Sequence, residues 1–144
     1  MSIRQISVFL ENKPGRLHAL TSLLAEKNVN ILALSLAETA DFGIARLIVE
    51  NVDRTVQELR DGDFAARVSE VLAFAVPDAP GGLNRLLSEF QSAGINIEYM
   101  YSFMGRVQKG FAYMILCVPD APAADAVLKA RGLKGLTQDE LQAT

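Results

Sequence analysis

Few residues in this chain have the types and spacings that catalysis needs. Its one histidine, His18, stands beside Leu17 and Leu20, with no second histidine at metal-pair spacing and no serine or cysteine motif nearby. That is the setting of a structural histidine on a helix. The one cysteine, Cys117, lies in the apolar run Ile115-Leu116-Cys117-Val118 without a CxxC partner or a local base. Such a thiol is an inert small hydrophobe rather than a thiolate. Asp61 and Asp63 fall beside Arg60 and Arg67 and read as a solvated charged surface. Neither a GxGxxG nor a GxxxxGKS/T loop occurs, and no cluster has metal-ligand spacing. These absences predict a protein that is not an enzyme and uses no cofactor and no metal.

A loop, by contrast, is written twice. Asn12-Lys13-Pro14-Gly15-Arg16-Leu17 returns as Asp78-Ala79-Pro80-Gly81-Gly82-Leu83. Each joins an alternating apolar stretch to a leucine-periodic one, which places it between a strand and a helix. A helix start presents N–H groups without intrahelical partners and the positive end of the dipole, a seat for a carboxylate. Pro14 and Pro80 are expected at the first helical position, where the missing N–H costs nothing. Gly15 and Gly81 remove the side chain that would shield the donors. Asn12 and Asp78 carry acceptor oxygens that an ammonium group can use. A carboxylate seat beside an ammonium acceptor is a receptor for a free α-amino acid. The same residues suffice for a plain turn and helix start. Duplication at one topological place, each copy followed fifteen residues after its glycine by Asn30 or Asn96, brings the binding reading level with that one.

The elements around these loops repeat as well. Shifted by 66 places, residues 8–31 and 74–97 share seven identities in 24 positions: Pro14/Pro80, Gly15/Gly81, Leu17/Leu83, Leu20/Leu86, Ser22/Ser88, Asn30/Asn96 and Ile31/Ile97. A period of that length holds a whole small domain, longer than a solenoid unit. Two domains are expected, residues 1–70 and 71–144, with no Pro/Gly/Ser linker between them. Each half reads strand, helix, strand, strand, helix, strand. Strands are expected over Ile3 to Leu10, Val29 to Ala37 and Ile44 to Val49, and over Val71 to Val76, Ile95 to Phe103 and Phe111 to Val118. Second helices are expected over Asp53 to Arg60 and Ala124 to Ala130. Arg67 to Leu72 reads as running directly into the second half, and Thr137 to Glu140 as a capping box. The class is α+β: two ferredoxin-like βαββαβ domains, antiparallel sheets with helices on one face. Apolar residues on both faces of Ile31 to Leu36 and Phe111 to Leu116 call for the second face to meet the sister domain, another subunit or an apolar ligand. Tyr99, Tyr101 and Phe103, with Phe111 and Tyr113, read as a core or interface layer or as a pocket wall.

Composition sets the outer bounds. The chain has 144 residues, half of them hydrophobic, and a formal net charge of −3. That balance excludes a general attraction to nucleic acid or anionic lipid. A single cysteine asks for no oxidising compartment. No apolar run reaches the roughly 18 residues of a membrane span, and residues 1–5 lack a signal-peptide layout. A cytoplasmic location is expected.

The doubled N/D-x-P-G-x-L loop, the leucine-rich helix, and Asn28-Val29-Asn30-Ile31 or Gly94-Ile95-Asn96-Ile97 at the second strand resemble the ACT domain. The whole chain resembles a tandem pair, most strongly over residues 6–51 and 72–118. The resemblance implies a regulatory module that binds small molecules, most often amino acids, and associates sheet to sheet or side by side. In such relatives the effector bridges two ACT units, touching the loop of one and the Asn of the second strand of the other. By position this implies ligand contacts at Asn12, Pro14, Gly15, Arg16 and Leu17, at Asp78, Pro80, Gly81, Gly82 and Leu83, and at Asn30 and Asn96. Asp78 in place of Asn, and Gly82 in place of Arg16, set the two copies apart. The expected partners are a small-molecule amino acid, a second copy in a homodimer and a metabolic enzyme. The first half also resembles the start of the acetolactate synthase small subunit, so a regulatory subunit of that type is an alternative. A ligand-free assembly module is another.

Overall fold

The structure is a computed structural model and describes residues 2–38 and 41–143. It divides into two compact units, Arg4–Ser69 and Glu70–Thr144, the latter taking in the residues up to Ile3.

In the first unit the elements run β1 (Ile3–Glu11), α1 (Arg16–Glu26), β2 (Ile31–Glu38), β3 (Phe42–Val49) and α2 (Val52–Asp61). β3 pairs antiparallel with both β1 and β2, with Val8 opposite Ala45 and Leu34 opposite Leu47. Alternation along β1 decides which face is core. Ile6, Val8 and Leu10 join Ala45, Leu47 and Val49 of β3 against Leu20 and Leu24 of α1 and Val52, Val56 and Leu59 of α2. Both helices therefore cover one face. Each such fully buried Leu or Ile contributes about 1.5–3 kcal/mol.

β4 (Ala65–Pro77) crosses the boundary between the units, and the second unit continues with α3 (Gly82–Ser92), β5 (Tyr99–Ser102), β6 (Phe111–Cys117), α4 (Ala121–Ala130) and α5 (Gln138–Ala143). β6 pairs antiparallel with β4 and β5. Leu72, Phe74 and Val76 pack with Leu116 and Val118 against Leu86 and Phe90 of α3 and Ala121, Ala124 and Leu128 of α4. The rings of Phe74 and Phe90 meet edge to face at 5.7 Å.

Buried residues also lie outside these two helix-covered cores. In the first unit Ala33 and Ile48 are at 0% exposure, as is the polar Gln5, and in the second Ala73 and Ile115 are too. Gln5 reaches Ser69 with its side-chain amide, donating from Nε2 over 3.3 Å. Of the tyrosine and phenylalanine group in the second unit, Tyr101, Phe103 and Tyr113 are buried, and the rings of Phe103 and Tyr113 stand 5.8 Å apart.

One expected boundary holds and two differ. As expected, the last strand of the first half runs on into the first of the second as one strand, β4, since Ala65–Pro77 contains no Gly, Asn or Asp and no Pro before Pro77. β5 begins at Tyr99 rather than Ile95; the Glu98 amide still donates to the Cys117 carbonyl over 2.8 Å. In the second unit no closing strand follows α4 among the described residues. Instead the Leu136 amide donates to the Ala73 carbonyl of β4 over 2.7 Å. The chain then enters α5, whose Thr137 hydroxyl accepts from the Glu140 amide and donates to the Glu140 carboxylate.

Candidate functional site

The repeated loops fold onto one backbone plan. In the first, the Asn12 amide donates to Asp41 O, Lys13 to Glu11 O, Arg16 to Lys13 O and Ala19 to Gly15 O. In the second, Asp78 donates to Gly110 O, Ala79 to Pro77 O, Gly82 to Ala79 O and Arg85 to Gly81 O. Gly15 has φ 88° and ψ −12°, and Gly81 φ 86° and ψ −5°. An i to i+3 bond, Pro second and a left-handed Gly third define a type II turn. This corrects the expected place of the prolines. Pro14 and Pro80 are turn residues, and the helices begin two residues later, at Arg16 and Gly82. The glycines are there because the turn needs a positive φ, not to unveil donors.

The turn nevertheless leaves donors open. Neither α1 nor α3 has a side-chain cap, whereas Asn51 caps α2 and Asp120 caps α4, each accepting an amide over 3.1 Å. The first-turn amides of Leu17 and His18, and of Leu83 and Asn84, have no acceptor within their own helices.

The first loop opens on a crevice of about 240 Å³ lined by Leu10, Glu11, Asn12, Lys13, Arg16, Leu17, Leu36, Glu38 and Gly43. Strand β1 delivers Leu10 and Glu11, β2 delivers Leu36 and Glu38, and α1 delivers Arg16 and Leu17. Asn12 Nδ2 donates to Glu38 Oε2 over 3.1 Å. The Arg16 guanidinium sits 5.4 Å from the centre of the Phe64 ring, and its Nε is buried without a hydrogen-bond partner. Lys13 Nζ pairs with Glu11 Oε2 at 3.0 Å, and the hydrogen bond from that ammonium holds the Glu11 carboxyl below its ordinary pKa, with Coulombic attraction to Lys13 acting the same way. The crevice thus carries a guanidinium whose buried Nε has no partner and a carboxylate that already orients an amide. Glu38 was missed from the sequence: it lies twenty-six residues from Asn12, and only the antiparallel return of β2 and β3 brings it there.

The second loop has the same backbone and different side chains. Gly82 stands where Arg16 does and is buried; a Cβ there would run into the Pro77 carbonyl oxygen. Asp78 replaces Asn12, and Met104 falls at the position of Glu38 when the repeat is laid over itself. Asn30 and Asn96 are exposed and lie at the far ends of α1 and α3. Each helix has 11 residues, a length of about 16 Å. A small ligand at Asn12 therefore does not reach Asn30 of its own unit. Asn96 instead lines an apolar hollow of about 290 Å³ with Ile95, Val118 and Val127. His18 is exposed on α1. Cys117 is half-buried, its thiol 3.7 Å from Glu98 Oε1. No group of three or more His, Cys, Asp or Glu that could hold a metal occurs among the described residues. No helix there is long and apolar enough to cross a membrane.

Two repeated turns, each between a first strand and a first helix, match a known family. The model for the ACT domain pair matches residues 1–142. The chain belongs to that family. Its two halves have the ferredoxin-like ACT fold, antiparallel strands with helices packed on one face. A solved protein of Bacteroides thetaiotaomicron is 36% identical and covers 100% of this chain and 98% of its own, with a TM-score of 0.88. The ligand-free regulatory subunit of aspartate kinase from Thermus thermophilus is 15% identical, covers 90% of each chain and has a TM-score of 0.63. The same subunit from Thermus flavus, 15% identical over 88% of each chain, has a TM-score of 0.61. These two share the fold of the ACT pair. None of the curated proteins compared matches the sequence.

Proposed function

We propose that this ACT pair is a non-catalytic regulatory protein of the cytoplasm that binds a free amino acid at its first loop. Its ACT domains are taken as residues 1–70 and 71–144. The observation that carries the reading is the pairing of Arg16, with a buried Nε that has no partner, and Glu38 in one crevice of amino-acid size. A zwitterion satisfies both. Its carboxylate takes Arg16 and the first-turn amides of Leu17 and His18; its ammonium takes Glu38. Desolvating an unpaired guanidinium N–H is unfavourable, so filling this valence stabilises the bound form.

Regulation follows by linkage. A ligand that binds one arrangement of a homodimer better than another shifts the population by no more than that difference in affinity. Membership of the ACT pair family supports a regulatory role, and the aspartate kinase regulatory subunits show the same fold in that role. A metabolic enzyme is the partner we propose.

Thermal unfolding of the full chain with each of the twenty amino acids tests this. A bound ligand at a hundred times its Kd stabilises by about 2.7 kcal/mol. One amino acid, or a small related group, raises Tm, and Glu38→Ala removes the response. No response to any of them at millimolar concentration contradicts the reading.

A further inference from the structure

The same crevice limits the side chain of its ligand, an inference that rests on the amino-acid reading above. Its charges can be assigned one by one. Lys13 and Glu11 neutralise each other at 3.0 Å. Glu38 and Arg16 are matched by the ammonium and carboxylate that every free amino acid brings. Among the described lining residues no charged group is then left over. The remaining wall is Leu10, Leu17, Leu36 and Gly43. Leu36 is a large apolar side chain left 51% exposed at this crevice. Gly43 beside it adds no side chain to the wall.

We infer that the crevice takes an α-amino acid with an uncharged aliphatic side chain, which packs over Leu36 against Leu10 and Leu17. A charged or amide side chain would give up water there without a partner, an unfavourable exchange. The crevice has a volume of about 240 Å³. That is of a size for one amino acid.

Calorimetric titration of the full chain with L-valine, L-leucine, L-isoleucine, L-methionine, L-alanine, L-serine, L-aspartate, L-glutamine and L-lysine reads this directly. The larger aliphatic ligands bind, and alanine binds roughly tenfold or more weakly, as loss of methylenes from an apolar pocket requires. Leu36→Asn, at an exposed position that leaves the fold intact, weakens L-leucine about tenfold, and Leu36→Met restores it. Binding of aspartate, lysine, glutamine or serine in preference to the aliphatic set, abolished by Arg16→Ala, overturns the side-chain inference and keeps the amino-acid site. Binding of L-leucine unaffected by both Leu36→Asn and Arg16→Ala places it elsewhere and overturns the inference. Binding of none of the nine overturns the inference, and silence of all twenty overturns the amino-acid reading with it.

Discussion

At the first loop the leading helical residue is Arg16, its guanidinium over Phe64; at the second it is Gly82, pressed against the Pro77 carbonyl. The backbones are the same, hydrogen bond for hydrogen bond. The comparison separates what the turn requires from what a ligand requires. Pro and a left-handed Gly serve the turn, and both copies keep them. Arg16, Asn12 and Glu38 are not needed for the turn, since Gly82, Asp78 and Met104 stand at those places in the other copy. A cation, an amide and a carboxylate around one crevice suit the zwitterion proposed as ligand. We propose no zwitterion site at the second loop, where Asp78 would repel a carboxylate and Gly82 supplies no counter-charge. Ligand binding is therefore proposed for the first loop and a folding role for the second.

Substitutions at the two turns sharpen this contrast. Gly82→Ala has the largest expected effect, because the new methyl meets a backbone carbonyl that has nowhere to move. About 3 kcal/mol is expected, at the upper end of overpacking costs, and a Tm lower by roughly 10 °C in calorimetry. Arg16→Ala, at the equivalent position, lowers Tm far less. Equal losses at the two positions would break the comparison. Gly15→Ala and Gly81→Ala come next. At both glycines a Cβ would meet nothing within 4 Å, and the two share nearly the same φ. Only left-handed strain of about 1–2 kcal/mol is then felt, alike in both. Chemical denaturation measures it, and a difference above about 1 kcal/mol would show that the turns are not equivalent.

Smaller effects distinguish the helices at the loops from the other two. Asn51→Ala and Asp120→Ala remove the caps of α2 and α4 and cost about 1 kcal/mol each by urea denaturation. No residue of α1 or α3 offers an equivalent loss, since neither helix has a side-chain cap. The weakest effect is that of acid on the Glu11–Lys13 pair. Glu11 has a lowered folded pKa, so its contribution is present above the ordinary carboxylate range and is lost as pH falls through the folded value. Both side chains are well exposed, so Lys13→Ala should leave the pH profile of Tm nearly unchanged.

The architecture was legible because it rests on periodicity and repetition. Leu20 and Leu24, and Leu86 and Phe90, mark buried helix faces at helical spacing, and the 66-residue shift marks the duplication. The prolines were misplaced by two residues because Pro suits both the first helical position and the second position of a type II turn. Only the following glycine, read as a left-handed residue, tells these apart. Glu38 was invisible for a different reason: its partnership with Asn12 comes from sheet register, which no local pattern records. The single strand β4 was legible from the missing linker, whereas the lost closing strand of the second half was hidden until Leu136 could be seen bonded to Ala73.

Central to all of this is that one loop of the two binds ligand. Isothermal titration with whichever amino acid raises Tm most, on the wild type, Arg16→Ala and Asp78→Ala, tests it most directly. The predicted result is one ligand per chain, weakened about 10- to 100-fold by loss of the Arg16 guanidinium, as for a charge-assisted hydrogen bond, and unchanged in Asp78→Ala. Two equivalent ligands per chain, or binding that survives Arg16→Ala and is lost in Asp78→Ala, would contradict it.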